Sequence, residues 1–287
     1  MTQLLVSTEW LAHALRLNDA NARVVDVRHY LFDRDKTGES EYLKGHIPGA
    51  VFADIDTDLA SPFGQGPGRH PLPRSDVFSK AMSRLGIDGN THVVVYDDRG
   101  GATACRLWFL LRYFGHDNVS VLDGGIAQWI AENRPLEKTK TQVARKNFVV
   151  KETRKNMIVD RDVVGKLARD PKGLVIDVRV AERYEGKIEP IDPKPGHIPG
   201  AKNAPIGSNL RGGADMRFLD AGALRARFDA FGLQNADQVV SYCGSGVNAA
   251  QSVFALYLAG RTDAMLYEGS WSDWSRQDLP VATGANP

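Results

Sequence analysis

The stretch QVVSYCGSGVNAAQSVFALYLAG sets a cysteine, Cys243, where an apolar run of strand character ends at Tyr242 and a helical pattern starts near Val247. Gly244 and Gly246 let the backbone turn sharply, so that successive amide N–H groups converge, and the helix N-terminus adds unpaired donors and positive dipole potential. Such a cradle receives an anion. Beside a thiol it is expected to favour the thiolate, which is the nucleophilic form. The other cysteine, Cys105, falls inside the apolar helix pattern ATACRLWFLL and reads as structural.

The elements that position Cys243 occur twice. VVDVR at 24–28 is answered by VIDVR at 175–179, and GHIPGA at Gly45–Ala50 by GHIPGA at Gly196–Ala201. HVVVYDD near Tyr96 corresponds to QVVSYCG near Tyr242, and DGGIAQW ending at Trp129 to EGSWSDW ending at Trp274, with slightly shorter offsets, so the first copy is longer in its middle. In that first copy Asp97 stands at the position of Cys243, so the fold itself does not require sulfur there. A period this long suits a duplicated domain rather than a solenoid repeat. The expected organisation is an N-terminal domain over 1–137, a polar basic linker over 138–151 and a C-terminal domain over 152–287. Arg23–Val27, Val93–Tyr96, Ser120–Leu122, Leu174–Val178, Gln238–Tyr242 and Ala264–Tyr267 read as buried strands, with helices such as Ala104–Phe114 and Val247–Leu258 between them. Alternating short strands and helices predict α/β domains with parallel sheets, each site lying beyond the strands' carboxyl ends.

Together, CGSGVNA, the paired GHIPGA motifs, DGG and EGSW resemble the rhodanese and mercaptopyruvate sulfurtransferase family, and the resemblance covers nearly the whole chain. It implies two tandem rhodanese-like α/β domains enclosing a cleft, with the catalytic cysteine in the C-terminal one only. Thiosulfate-preferring members usually carry CRKGVTA, whose basic side chains meet the sulfonate. The loop here is similar to the CGSGVTA of the mercaptopyruvate branch, with Asn248 in place of the usual threonine. By this resemblance Cys243 carries a sulfane sulfur as a persulfide, while Gly244, Gly246, Val247 and Asn248 line the loop. Ser245 is linked to His46 and to an acidic residue, Asp35 or its rival Asp33. Arg183 in VAERYEGK matches an arginine that binds the donor's carboxylate, a partner suited to a planar guanidinium. The branch's second arginine has no counterpart, because Ile191 stands near its place. The donor is therefore 3-mercaptopyruvate or, alternatively, thiosulfate. The acceptor is cyanide, a small thiol or thioredoxin, and no cofactor or metal is needed. GHIPGA around His197 carries no such linkage, so the motif also has a structural duty as a Pro-Gly turn.

Rival readings are weaker. Gly244, Gly246 and Ala249 spell a dinucleotide-type fingerprint, but the 38 residues after Ala249 are too few for the remaining βα units. A cysteine phosphatase needs an arginine six positions after its cysteine, where Ala249 stands. A non-enzymatic sulfur-relay or binding protein remains open. Trp271 is a candidate for the cleft wall. The seven histidines are scattered, which disfavours a metal site. With 36 basic and 35 acidic residues the net charge is +1, so no global field recruits nucleic acid or lipid. The absence of a secretory pattern and of long apolar runs, together with only two cysteines, suggests a cytoplasmic protein.

Overall fold

The computed structural model describes residues 3–17, 21–31, 33 and 35–287. Its contacts divide the chain into two units. Unit 1 comprises residues 1–60, 73–154 and 211–218; unit 2 comprises 61–72, 155–210 and 219–287. Each unit therefore takes in a short segment from the other half of the sequence.

In unit 1 the strands are β1 (Leu5–Val6), β2 (Ala22–Asp26), β3 (Val51–Phe52), β4 (His92–Tyr96) and β5 (Val119–Leu122), with helices α1 (Thr8–Arg16), α2 (Gly38–Lys44), α3 (Ser75–Arg84), α4 (Ala104–Tyr113) and α5 (Gly125–Ala131). The sheet order is β1-β5-β4-β2-β3, all parallel. In unit 2, β6 (Ile158–Val159), β7 (Gly173–Asp177) and β8 (Lys202–Asn203) precede a two-stranded ribbon, β9 (Leu210–Gly212) and β10 (Asp215–Phe218), most of which belongs to unit 1. Strands β11 (Gln238–Tyr242) and β12 (Met265–Tyr267) complete the sheet β6-β12-β11-β7-β8, again parallel. Its helices are α6 (Arg161–Leu167), α7 (Ala181–Tyr184), α8 (Ala221–Asp229), α9 (Ala249–Leu258) and α10 (Ser270–Trp274). The core strands expected from the apolar runs all form, each within a residue or two of its expected ends.

The repeated motifs have the same structural meaning in both units. Asp26 and Asp177 end their central strands and each hold the arginine two residues on, Arg28 and Arg179, in a buried ion pair at 2.6 Å. That arginine also donates to the carbonyl of the glycine opening GHIPGA, Gly45 or Gly196. The histidine of the motif stacks on a tyrosine, His46 on Tyr42 and His197 on Tyr184, and its Nδ1–H donates 2.8 Å to that tyrosine's carbonyl. A carbonyl only accepts, so the proton sits on Nδ1 in both. Burial lowers the His197 pKa. This pinning of strand, helix and turn explains why the six residues recur.

The 138–151 stretch has neither helix nor strand, but it is fastened. Phe148 is 2% exposed and packs edge-on against Phe78, while the Lys146 and Phe148 N–H groups donate to Ser83.

Candidate active site

Strand β11 delivers Cys243 to the carboxyl edge of the unit 2 sheet. The turn beyond it is clamped by the loop leading into α10. The Cys243 N–H donates to Ser270 Oγ at 3.1 Å, and the Cys243 and Gly244 carbonyls accept from the Trp271 and Ser272 N–H groups at 3.0 and 2.9 Å. Gly246 has φ +80°, and a Cβ there would lie 2.4 Å from the Glu268 carbonyl oxygen, so only glycine fits. The turn brings the Gly246 N–H to 3.1 Å from Cys243 Sγ. Helix α9 starts at Ala249, two residues later than the sequence pattern implies, with the half-buried Asn248 at its N-cap and Val247 buried within the turn.

Ser245, 6% exposed, places Oγ 2.7 Å from Nδ1 of His70. This corrects the expectation that His46 meets Ser245: His46 is committed to Tyr42 in the core of unit 1, where its Nδ1 proton is already used. Asp35, expected to complete that linkage, is exposed and gives its N–H to Asp33, which lies 3.7 Å from Lys36 Nζ. Trp271 is fully buried beneath the Arg179 guanidinium and donates its indole N–H to Lys194 O, so it lines no wall.

His70 rides on residues 61–72, which precede α3 in the chain yet belong to unit 2. Gly68 has φ +75° and passes so near the Gly269 carbonyl that a Cβ would lie 2.4 Å from its oxygen. The Arg69 N–H donates to Ser272 Oγ at 3.0 Å, which locks the strap to the α10 loop. The same strap presents the Arg69 side chain. A Cβ on Gly244 would lie 3.0 Å from Arg69 Nη2 and 3.4 Å from Arg183 Nη1, so two guanidiniums flank the residue after the cysteine. A larger or basic residue at 244 would collide with both and repel them. Arg183 meets Glu189 at 2.6 Å and Asp192 at 3.3 Å, and Arg69 also pairs with Asp192.

The sequence singled out Cys243, Ser245 and Arg183, which lie together around this turn, but not Arg69 and His70, which lie beside them. The available signal was the surplus length of the first copy, which falls between its GHIPGA and Tyr96, where GQGPGRHPLP lies. An Arg-His pair in a Pro/Gly-rich segment with no counterpart in the second copy has no obvious packing duty.

The structure thus holds a nucleophile-type side chain, a hydroxyl–imidazole pair and two guanidiniums in one α/β unit: the layout of an enzyme handling a small anion. The chain belongs to the rhodanese-like domain family, whose model matches residues 7–132 and 160–277. It is 40% identical over 276 residues to a probable 3-mercaptopyruvate sulfurtransferase of Pseudomonas aeruginosa, covering 94% of this chain and 95% of that protein. A putative thiosulfate sulfurtransferase, SseB of Mycobacterium tuberculosis, is 38% identical over 283 residues, with 98% of each chain covered. Among solved structures, SseA from Escherichia coli, reported as a 3-mercaptopyruvate sulfotransferase, superposes with a TM-score of 0.83 at 32% identity, covering 94% of this chain and 100% of that one.

Proposed function

We propose that this chain is a sulfurtransferase that takes sulfur from 3-mercaptopyruvate onto Cys243 and passes it to a thiophilic acceptor. The observation that carries this reading is the pair of guanidiniums, Arg69 and Arg183, against Gly244 beside the cysteine. A planar keto-acid carboxylate is the natural partner of such a pair, and it would hold the donor's C–S bond near Sγ. The names of the Pseudomonas aeruginosa and Escherichia coli relatives support the same donor.

In this cycle the Cys243 thiolate attacks the donor's sulfur. A new S–S bond forms, the C–S bond breaks, and its electron pair goes to the carbon, giving the pyruvate enolate. The donor's thiol proton ends on that carbon, and Ser245 with His70 is the pair placed to move it. The product is pyruvate, with a persulfide left on Cys243. Turn amides, the Gly246 N–H first among them, offset the persulfide's charge. Cyanide, a small thiol or reduced thioredoxin then removes the outer sulfur and restores the thiolate. We assign catalysis to the C-terminal domain alone, since Asp97 holds the cysteine position of the first. Both cysteines are free, which suits a reducing cytoplasmic setting, and no helix among the described residues is long and apolar enough to cross a membrane.

Thiosulfate is the second reading, because a sulfonate also suits paired guanidiniums and the Mycobacterium tuberculosis relative carries that name. Steady-state kinetics with each donor and cyanide test the assignment. A kcat/KM at least tenfold higher for 3-mercaptopyruvate is the expected result, and a preference for thiosulfate would reverse it.

A further inference from the structure

Arg69 and Arg183 flank Gly244, yet they also share a third group. Asp192 Oδ1 pairs with Arg69 Nη1 and lies 3.6 Å from Arg276 Nη1, while Oδ2 takes Arg183 Nη2 at 3.3 Å. The Asp192 side chain is fully buried, and the turn that carries it is fixed by its own N–H and that of Ile191, both donating to Glu189 Oε1. Asp192 is therefore a fixed anion bound between the two guanidiniums, one on each oxygen, as a substrate carboxylate would be.

Its charge sets the field a donor meets. Arg179 is largely neutralised by Asp177, donating Nε–H to Oδ1 at 3.1 Å and Nη2–H to Oδ2 at 2.6 Å. Around Gly244 the remaining guanidiniums Arg69, Arg183 and Arg276 face the carboxylates Asp192 and Glu189 and, in the proposed cycle, the Cys243 thiolate, so little net positive charge is left for a donor. The Asp192 charge therefore weighs more against a dianion than against a monoanion in a partly dry site, where Coulomb terms are strong.

We infer that Asp192 is the residue that restricts the donor to a singly charged anion and holds thiosulfate, a dianion, at a disadvantage. The inference rests on the donor site proposed above and deepens it. Because repulsion scales with the donor's charge, removing the Asp192 charge should raise log kcat/KM for thiosulfate about twice as much as for 3-mercaptopyruvate. A threefold gain for the keto acid then accompanies about a tenfold gain for thiosulfate.

The test is Asp192→Asn, which keeps the shape and hydrogen-bonding reach, assayed with both donors at low and high ionic strength. The ratio of thiosulfate to 3-mercaptopyruvate kcat/KM should rise about threefold or more at low salt and shrink toward the wild-type ratio as salt is added. Arg276→Gln removes a positive charge from the same cluster and should move the ratio the opposite way, a readout that stands even if Asp192→Asn folds poorly. An unchanged ratio in both variants, or equal losses for both donors, would overturn the inference by reducing Asp192 to a strut for the arginines. Intact mass separates this failure from that of the parent reading: if neither donor loads sulfur on wild-type Cys243, both fall together, whereas loading with an unmoved ratio sinks only the role of Asp192.

Discussion

The loop from β4 to α4 and the loop from β11 to α9 leave equivalent strands of the two units and enter equivalent helices. Even their flanking contacts agree: the Asp97 carbonyl accepts the Ile126 N–H at 3.0 Å, as the Cys243 carbonyl accepts that of Trp271. What fills the turn differs. Asp97 Oδ1 accepts from the Arg99 and Gly101 N–H groups, and Oδ2 from the Thr103 and Ala104 N–H groups and the Thr103 hydroxyl. Cys243 Sγ receives the Gly246 N–H. A carboxylate oxygen lies two bonds from Cβ, as would the outer sulfur of a cysteine persulfide. The first loop is thus an anion cradle permanently closed by its own side chain. The second has a shorter side chain, and its outer position is where the proposed persulfide sulfur would sit. One ancestral turn has become a structural lock in one copy and a candidate carrier in the other.

The sharpest way to break this comparison is to empty the lock. Asp97→Ala strands several buried N–H groups and should cost about 3–5 kcal/mol in denaturant unfolding, while Cys243→Ala should cost no more than about 1–2 kcal/mol. Equal costs would mean that Asp97 is not holding its loop. Next in size is the histidine contrast. His70→Gln should lower kcat with 3-mercaptopyruvate by about a hundredfold with the melting temperature nearly unchanged. His46→Gln should do the reverse, lowering the melting temperature through the lost Tyr42 contact and leaving kcat near wild type; a kcat loss there as large as at His70 would restore His46 to the site. Arg69→Lys keeps the charge but loses the planar fork, so KM for the keto acid should rise about tenfold with kcat little changed. The smallest effect concerns the two thiols. Burial and the nearby Asp97 carboxylate push the Cys105 thiol well up, so a thiol-alkylating reagent at neutral pH should add one adduct to the native protein, on Cys243, and two after unfolding. Native labelling of Cys105 would contradict that account.

Much of this was legible in the sequence because duplication writes it twice. VVDVR and VIDVR mark matching central strands, and the GHIPGA pair marks the turns that they anchor. Cys243 stood out because its counterpart is an aspartate. What the sequence hid follows from the same symmetry. His46 looked chemical only until its twin, His197, was seen in the same stacked, carbonyl-bound state. His70 and Arg69 have no twin and sit in a strap whose attachment to the α10 loop depends on the approach of Gly68 to Gly269, a contact over about two hundred residues that no local pattern encodes. Asp192 likewise carries no signal of its own, because nothing in the order of residues says that two arginines converge on it.

The most direct measurement is the intact mass of the protein after treatment with 3-mercaptopyruvate and removal of excess donor. The wild type should gain about 32 Da, one sulfur atom, which cyanide then removes as thiocyanate, and Cys243→Ser should gain nothing. An adduct that persists in Cys243→Ser, or a wild type that never acquires it, would contradict the assignment of Cys243 as the sulfur carrier.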